Sequence, residues 1–314
     1  MPSNRNIERY VAPFEETPVA AVDAVNTSQK ASSVWGDAWK DMRGRWLTWV
    51  CLALIVVIAF VAIFPDLLAP SSLKSCRILN SVEPPEAGHP FGFDVQGCDV
   101  YYRVIHGARA SVTVGLLATI MATVVGAIIG AVAGYYGGWL DSIVSRLGDI
   151  FFAIPSVLGA IVVMTVIPWG RNEVTLALTL AVFGWPQVAR IMRGAVLTAK
   201  NADYVTASIA LGVSRGKILL KHVVPNALAP VIVIATVSLG TYIVAEATLS
   251  FLGIGLGDSA ISWGHDISTA QEAIRTTPML MVYPSAALAI TVLAFLLLGD
   301  IVRDALDPKA RARR

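Results

Sequence analysis

Six apolar runs separated by polar breaks dominate the chain, at residues 46–64, 108–134, 142–167, 175–196, 227–252 and 279–301. Each is close to the roughly 20 residues a helix needs to cross a hydrocarbon core. Lipid offers no hydrogen bonds, so runs of this length predict helices that satisfy their own backbone. The third run carries Asp149 and Pro155 near its start, and the fourth holds Gly184, Trp185 and Pro186. Both prolines predict kinks, because proline removes an amide donor and crowds the preceding turn. The second run sets Gly126, Gly130 and Gly134 four apart on one face. Small residues at that spacing let helix backbones approach closely. The stripe suits either a seam with another subunit or packing inside this chain.

The breaks differ in character. Residues 1–34 are polar, with Pro2, Pro13 and Pro18 and no apolar stretch of signal-peptide type, which predicts a disordered tail. Residues 35–107 comprise the first span and a long loop, 108–308 the core, and 309–314 a basic tail. Within the core, the connection at 200–226 contains DYVTASIALGVSRGKILLKHVVPN, too amphipathic to lie in lipid. Ala207, Ala210, Leu211, Ile218 and Leu219 recur at helical spacing, and Gly212 interrupts them. Two short helices are expected, with a positive-φ turn at Gly212. Pro225 and Asn226 are expected to end the second helix. Such a unit is either a docking element for a soluble partner or a loop lying on headgroups.

Charged residues make up only 15% of the 314 positions, against about 25% in a soluble domain. With a mean hydropathy of +0.66, this is the composition of a multi-span membrane protein. The net charge of +2 gives no reason to invoke nucleic acid. Lys40, Arg43, Arg45, Arg146, Arg190, Arg193, Lys200, Arg215, Lys217, Lys221, Arg303, Lys309, Arg311, Arg313 and Arg314 fall on one side of the six runs. Lys74, Arg77, Arg103, Arg109, Arg171 and Arg275 fall on the other. The positive-inside rule then makes both termini and the Gly212 segment cytoplasmic.

Catalytic chemistry finds no support. The stretch from Gly212 to Ile218 has too few residues between its glycines for a phosphate loop, and no Ser or Thr follows Lys217. His89, His106, His222 and His265 show no metal-ligand spacing. Glu246 lies deep in the fifth run, where a carboxylate must face protein or a water-filled path. It is either a pathway or gating group or a buried hydrogen-bond partner. Asp149 and Asp300 are expected to pair with Arg146 and Arg303 at helical spacing. Cys51 sits in the first run, whereas Cys76 and Cys98 share the long loop after it. An oxidising exterior permits a disulfide there, and two free thiols remain the alternative.

Several motifs resemble those of one family. Thr206-Ala207-Ser208, Gly212 and Val224-Pro225 fall on the Glu-Ala-Ala, Gly and Leu-Pro of the cytoplasmic loop of bacterial ABC-importer permeases, with Thr206 and Ser208 as departures. The segments His89-Pro90-Phe91-Gly92-Phe93-Asp94, Gly97-Cys98-Asp99-Val100 and Gly107-Ala108-Arg109-Ala110-Ser111 look like the C-type permease of dipeptide, oligopeptide and nickel importers. In that family Arg usually stands where this chain has Cys98. Further matches are Gly134-Tyr135-Tyr136-Gly137-Gly138-Trp139, Ala245-Glu246-Ala247 with Leu249-Ser250-Phe251-Leu252-Gly253, and Arg303-Asp304-Ala305-Leu306-Asp307-Pro308. The resemblance spans 46–308 in family order.

The resemblance implies an all-α type I ABC-importer permease fold with six spans in the bacterial inner membrane. It implies a homologous permease partner, two cytoplasmic ATPase subunits that hold ATP and Mg, and an extracytoplasmic peptide-binding protein. This chain itself would bind no cofactor or metal. Asp203, Tyr204, Thr206, Ala207, Ser208, Ala210, Leu211, Gly212, Ile218, His222, Pro225 and Asn226 would form the ATPase-coupling loop. The solute would be a short peptide, with nickel or another small solute as the alternative. A self-sufficient secondary transporter is the rival from a different class, but the chain lacks the paired half-repeats that such proteins show. A membrane-embedded enzyme ranks last for want of an acid, base or nucleophile set.

Overall fold

The computed structural model describes residues 34–70, 74–167, 170–257 and 260–306. The tails at 1–33 and 307–314, including the expected disordered and basic ends, lie outside the described residues. Among those described, the chain is helical with no strand, only two isolated bridges. In order the helices are α1 (Val34–Arg43), α2 (Trp46–Ile63), α3 (Pro65–Leu68), α4 (Val100–Tyr136), α5 (Gly138–Ala153), α6 (Ser156–Val166), α7 (Glu173–Ala199), α8 (Asp203–Ala210), α9 (Arg215–Ile218), α10 (Val224–Phe251), α11 (Trp263–Ala270) and α12 (Met279–Leu306).

Five helical stretches are long and apolar enough to cross a membrane: α2, α4, α7, the continuous run Arg215–Phe251, and α12. The remaining apolar run, the third along the chain, is the pair α5 and α6, bent by 88°. The expected kink at Pro155 is thus a full break. Proline disfavours helical geometry in the residue before it, and Ile154 is extended at φ −92°, ψ 121°. The kink expected at Pro186 does not interrupt α7, which stays one helix from Glu173 to Ala199.

Two boundaries move from their expected places. Helix α4 starts at Val100, not at 108, because Asp99 caps it by accepting from the Tyr102 amide at 2.6 Å. Pro225 and Asn226 do not end a helix. A π turn at Leu219–Val223 carries α9 into α10, and Pro225 sits in the first turn of α10. There its missing amide costs nothing and its fixed φ suits the helix.

The core is built on α4 and α7. A Cβ on Gly126 would lie 2.6 Å from the Trp185 carbonyl oxygen, on Gly130 2.3 Å from that of Ala189, and on Gly134 3.0 Å from that of Arg193. The glycine stripe therefore serves intramolecular packing against α7. One apolar cluster joins Val114, Ala118, Met164, Leu176 and Leu249, and a second joins Val188, Met192, Val196, Val205, Ile218 and Val223.

A compact loop caps the opposite end. Cys76 and Cys98 are joined by a disulfide across a sequence separation of 22. Asp94 Oδ1 accepts from the amides of Gln96 at 2.8 Å and Cys98 at 2.9 Å, which folds the turn around Gly97 at φ +70°. His89 bonds the Asp99 carboxylate, and the Phe91 ring stacks on Tyr283 with centroids 4.1 Å apart. Closing a loop of this length stabilises it by about 3 kcal/mol in the chain-entropy model. A Cys76→Ser/Cys98→Ser variant is expected to be nicked faster by protease between residues 74 and 99. Alkylation of Cys76 and Cys98 in native, unreduced protein, followed by mass spectrometry, checks the bridge directly. Full modification of both would refute it.

Candidate functional site

The segment 203–226 folds as an exposed, braced hairpin of two short helices. Helix α8 is held by Val205, which is buried against the second core cluster beside Val196, Ile218 and Val223. It ends in a Schellman-type closure. The Gly212 amide donates to the Ile209 carbonyl at 2.9 Å, and the Val213 amide reaches the Ser208 carbonyl at 3.2 Å. Gly212 has φ +74°, the left-handed geometry expected of it. Ser208 Oγ donates to the Tyr204 carbonyl at 2.7 Å, and Asn226 Nδ2 to that of His222 at 2.7 Å.

The apolar periodicity of the hairpin divides in an unexpected way. Ile218 and Leu219 point inward as expected, but Ala207, Ala210 and Leu211 are exposed, and Leu211 reaches 83%. Val205 takes the buried place instead, since two turns of helix offer only one inward position below the end of α7. Asp203, Tyr204, Thr206 and Gly212 are exposed with the alanines, as are Pro225 and Asn226 at the start of α10. Ser208 and His222 are half-buried. Tyr204, Ile209, Leu211 and Leu220 therefore leave apolar surface uncovered. Behind the hairpin lies a groove of about 520 Å³ lined by Tyr135, Tyr136, Lys200, Val205, Gly212 and Arg215. Lys200 Nζ caps the end of α4 by donating to the Gly134 carbonyl at 2.8 Å. Through the second apolar cluster the hairpin packs on α4, α7 and α10, where Ala131, Val196 and Ala227 belong to the same buried group as Val205 and Ile218.

Glu246 is wholly buried within the single chain, at 0% exposure. Its Oε1 accepts from Ser250 Oγ, one turn later on α10, at 2.7 Å. Ser111 of α4 and Ser262, the N-cap of α11, lie against the same carboxyl. Ser250 was visible as an i, i+4 neighbour. Ser111 and Ser262 were not, because only tertiary structure brings them there. Gly264 completes the contact: a Cβ on it would lie 2.3 Å from the Ala247 carbonyl oxygen, so α11 seats directly on α10. The one hydrogen bond to the carboxylate thus lies within α10, and Oε2 and the nearby Ser111 hydroxyl have no hydrogen-bond partner in the protein.

Other charged groups settle differently from expectation. Asp149 lies 4.0 Å from Arg146 as anticipated, but more closely contacts Arg190 of α7 at 3.1 Å. The pair expected between Asp300 and Arg303 does not form. Both are exposed, where such a pair gains little. The neighbouring Asp304 holds Arg45 at 3.0 Å instead. A cluster that sequence reading missed joins Arg103 Nε to Asp266 Oδ1 at 2.8 Å, with Asp94 3.6 Å from Arg103. It lies 163 positions apart in sequence, so no local pattern could reveal it. Beside it, Trp263 Nε1 donates to the Val104 carbonyl at 2.8 Å and Ser268 Oγ to that of Phe251 at 2.8 Å, fixing α11 on α4 and α10.

Comparison with known proteins gives this arrangement its context. Residues 126–312 match the binding-protein-dependent transport system inner membrane component family. Residues 33–82 match the N-terminal transmembrane domain of oligopeptide transport permease C. The oligopeptide transport system permease protein OppC of Bacillus subtilis is 39% identical over 298 residues, covering 95% of this chain and 97% of that protein. The dipeptide transport system permease protein DppC of Alkalihalophilus pseudofirmus is 36% identical, covering 90% and 92%. The glutathione transport system permease protein GsiD of Escherichia coli is 34% identical, covering 96% and 98%. In fold, the chain resembles a subunit of the MetNI methionine ABC transporter in an inward-facing form, with a TM-score of 0.54 and 22% identity over 65% of this chain and 96% of that one. The chain therefore belongs to the binding-protein-dependent transport system inner membrane component family, as a multi-pass permease of the bacterial inner membrane.

Proposed function

We propose that this chain is one of two permease subunits of an ATP-driven importer of short peptides. Its partners are a homologous permease, two ATPase subunits that bind ATP and Mg and carry out the hydrolysis, and an extracytoplasmic peptide-binding protein. Both termini and the 203–226 hairpin face the cytoplasm, and the disulfide-closed loop faces outward. The observation that carries the reading is the hairpin itself: an exposed apolar face on α8, closed at Gly212 and packed on α4, α7 and α10 through one buried cluster. Closure of the ATPases presses on this face, and the attached spans switch access from outside to inside. ATP shifts that equilibrium only through its different affinity for the two states. Glu246, wholly buried within the single chain where α10 meets α4 and α11, serves the packing of these helices rather than the lining of the path. A peptide is favoured over nickel because the relatives above are named for oligopeptide, dipeptide and glutathione transport.

The test is reconstitution of the complex in liposomes with labelled peptide. Uptake should require both ATP and the ATPase chains; peptide movement by this chain alone would favour a secondary transporter. Gly212→Val places a β-branched side chain at φ +74°, a strain of about 1–2 kcal/mol. No neighbouring atom lies within 4 Å of the added Cβ, so the fault is confined to the backbone of the turn. The variant should insert at normal abundance yet lose most ATPase co-isolation and uptake. Normal assembly and uptake would sink the coupling role.

A further inference from the structure

Helix α1 has two distinct faces. Ala38 and Met42 pack against Val302, Ala305 and Leu306 at the end of α12 and against Ala229 and Val233 of α10. Trp35, Trp39 and Arg43 follow one another at four-residue spacing along a second face, all exposed, with exposed Lys40 beside them. The tryptophans continue into the first turn of α2, where Trp46 and Trp49 are also exposed. The elbow between the two helices is rigid. Arg45 bonds Asp41 at 2.9 Å and Asp304 at 3.0 Å, and Trp49 Nε1 donates to the Arg43 carbonyl at 3.1 Å.

Only Gly44 and Arg45 separate α1 from a span whose surface is mostly turned away from the protein. Helix α1 is therefore fixed at the depth where the hydrocarbon core ends. Tryptophan is enriched at that depth because its ring is apolar and its N–H needs a polar partner. Lysine and arginine there meet the negative surface of anionic lipids. We infer that α1 is a headgroup-level anchor: it lies flat on the bilayer, with Trp35 and Trp39 in the acyl boundary and Lys40 and Arg43 on the phosphates of anionic phospholipid. The anchor sets the depth of α2 and, through Arg45 and Asp304, of the end of α12. It does not depend on what the importer carries.

The test uses the full-length chain in nanodiscs of phosphatidylcholine alone or mixed with phosphatidylglycerol. Cys51 is buried and Cys76 is bonded to Cys98, so an introduced surface cysteine can be labelled selectively. A nitroxide at Trp35→Cys, with a second at Gly36→Cys, is read by paramagnetic accessibility. Oxygen should reach the Trp35→Cys label several-fold more readily than a water-soluble nickel chelate does, and the Gly36→Cys label should sit nearer the water. Phosphatidylglycerol should draw the label deeper, and Lys40→Gln/Arg43→Gln should abolish that shift. Free access of the nickel chelate at both positions would place the face in water and overturn the inference. Exclusion of both reagents would mean that protein covers it, with the same result. Indifference to phosphatidylglycerol would remove the anionic-lipid role.

Discussion

Gly130→Val is expected to cost the fold about 3 kcal/mol and most of the mature protein in the membrane. The first added carbon would lie 2.3 Å from the Ala189 carbonyl oxygen and 2.9 Å from the Ala189 Cα. Both are backbone atoms of α7, so no side chain can swing aside. The two helices must separate, and Gly126 and Gly134 lose their contacts along with Gly130. Overpacking usually costs about 1–3 kcal/mol, and rigid backbone puts this site at the upper end. Gly194→Ala is the control: Gly194 is an exposed position of α7 with nothing within 4 Å of the new Cβ, and the change should leave stability within about 1 kcal/mol. Thermal unfolding of the purified chain in detergent, with membrane abundance, compares the two. Equal stability of Gly130→Val and wild type would mean that α4 and α7 do not pack as described.

The features that were legible in the sequence are those that depend on local rules. Lipid forces long apolar runs to become helices, so the runs at 46–64 and 279–301 reappear closely as α2 and α12. A glycine between two short amphipathic stretches reads as a positive-φ turn because few other residues tolerate it, and Gly212 is in that geometry. What escaped depends on partners distant in sequence or on competition between local signals. Pro155 and Pro186 look alike in a window, yet only the first is preceded by a residue driven into extended geometry. Pro225 looked like a stop because its missing amide normally ends a helix. A π turn before it moves that gap to a first turn, where no bond is due. The inward position of Val205 rather than Ala207 or Leu211 follows from where α7 ends, which periodicity within eight residues cannot report. The serines around Glu246 come from three separate segments of the chain.

Removing Arg103 should expose how the α11 end of the bundle is held, through a pH dependence absent from a simple packing defect. Asp266 is buried, and burial pushes its carboxyl up to about 6, against the opposing pull of the Arg103 guanidinium. Asp94 and Glu246 lie near enough to push it in the same direction as burial. Asp266 Oδ2 has no protein partner, and the adjoining cavity of about 20 Å³ has room for one water. Arg103→Leu takes away the nearest favourable charge, so the carboxyl rises further. A carboxyl held above its unfolded value near 4 favours the fold at low pH. That contribution is lost as pH rises to the folded-state value, at up to about 1.4 kcal/mol per unit. In the variant this window extends from about 4 through neutrality. The stability gap from wild type should therefore be small at pH 5 and widen toward pH 8, approaching the roughly 3–5 kcal/mol of a broken buried pair. Adding Asp266→Asn removes the ionisable group and should flatten the slope while recovering part of the loss. Unfolding midpoints of wild type, Arg103→Leu and the double variant across that pH range decide the matter. A gap that does not change with pH would mean that Arg103 holds α11 by contact alone, with Asp266 already neutral beside it.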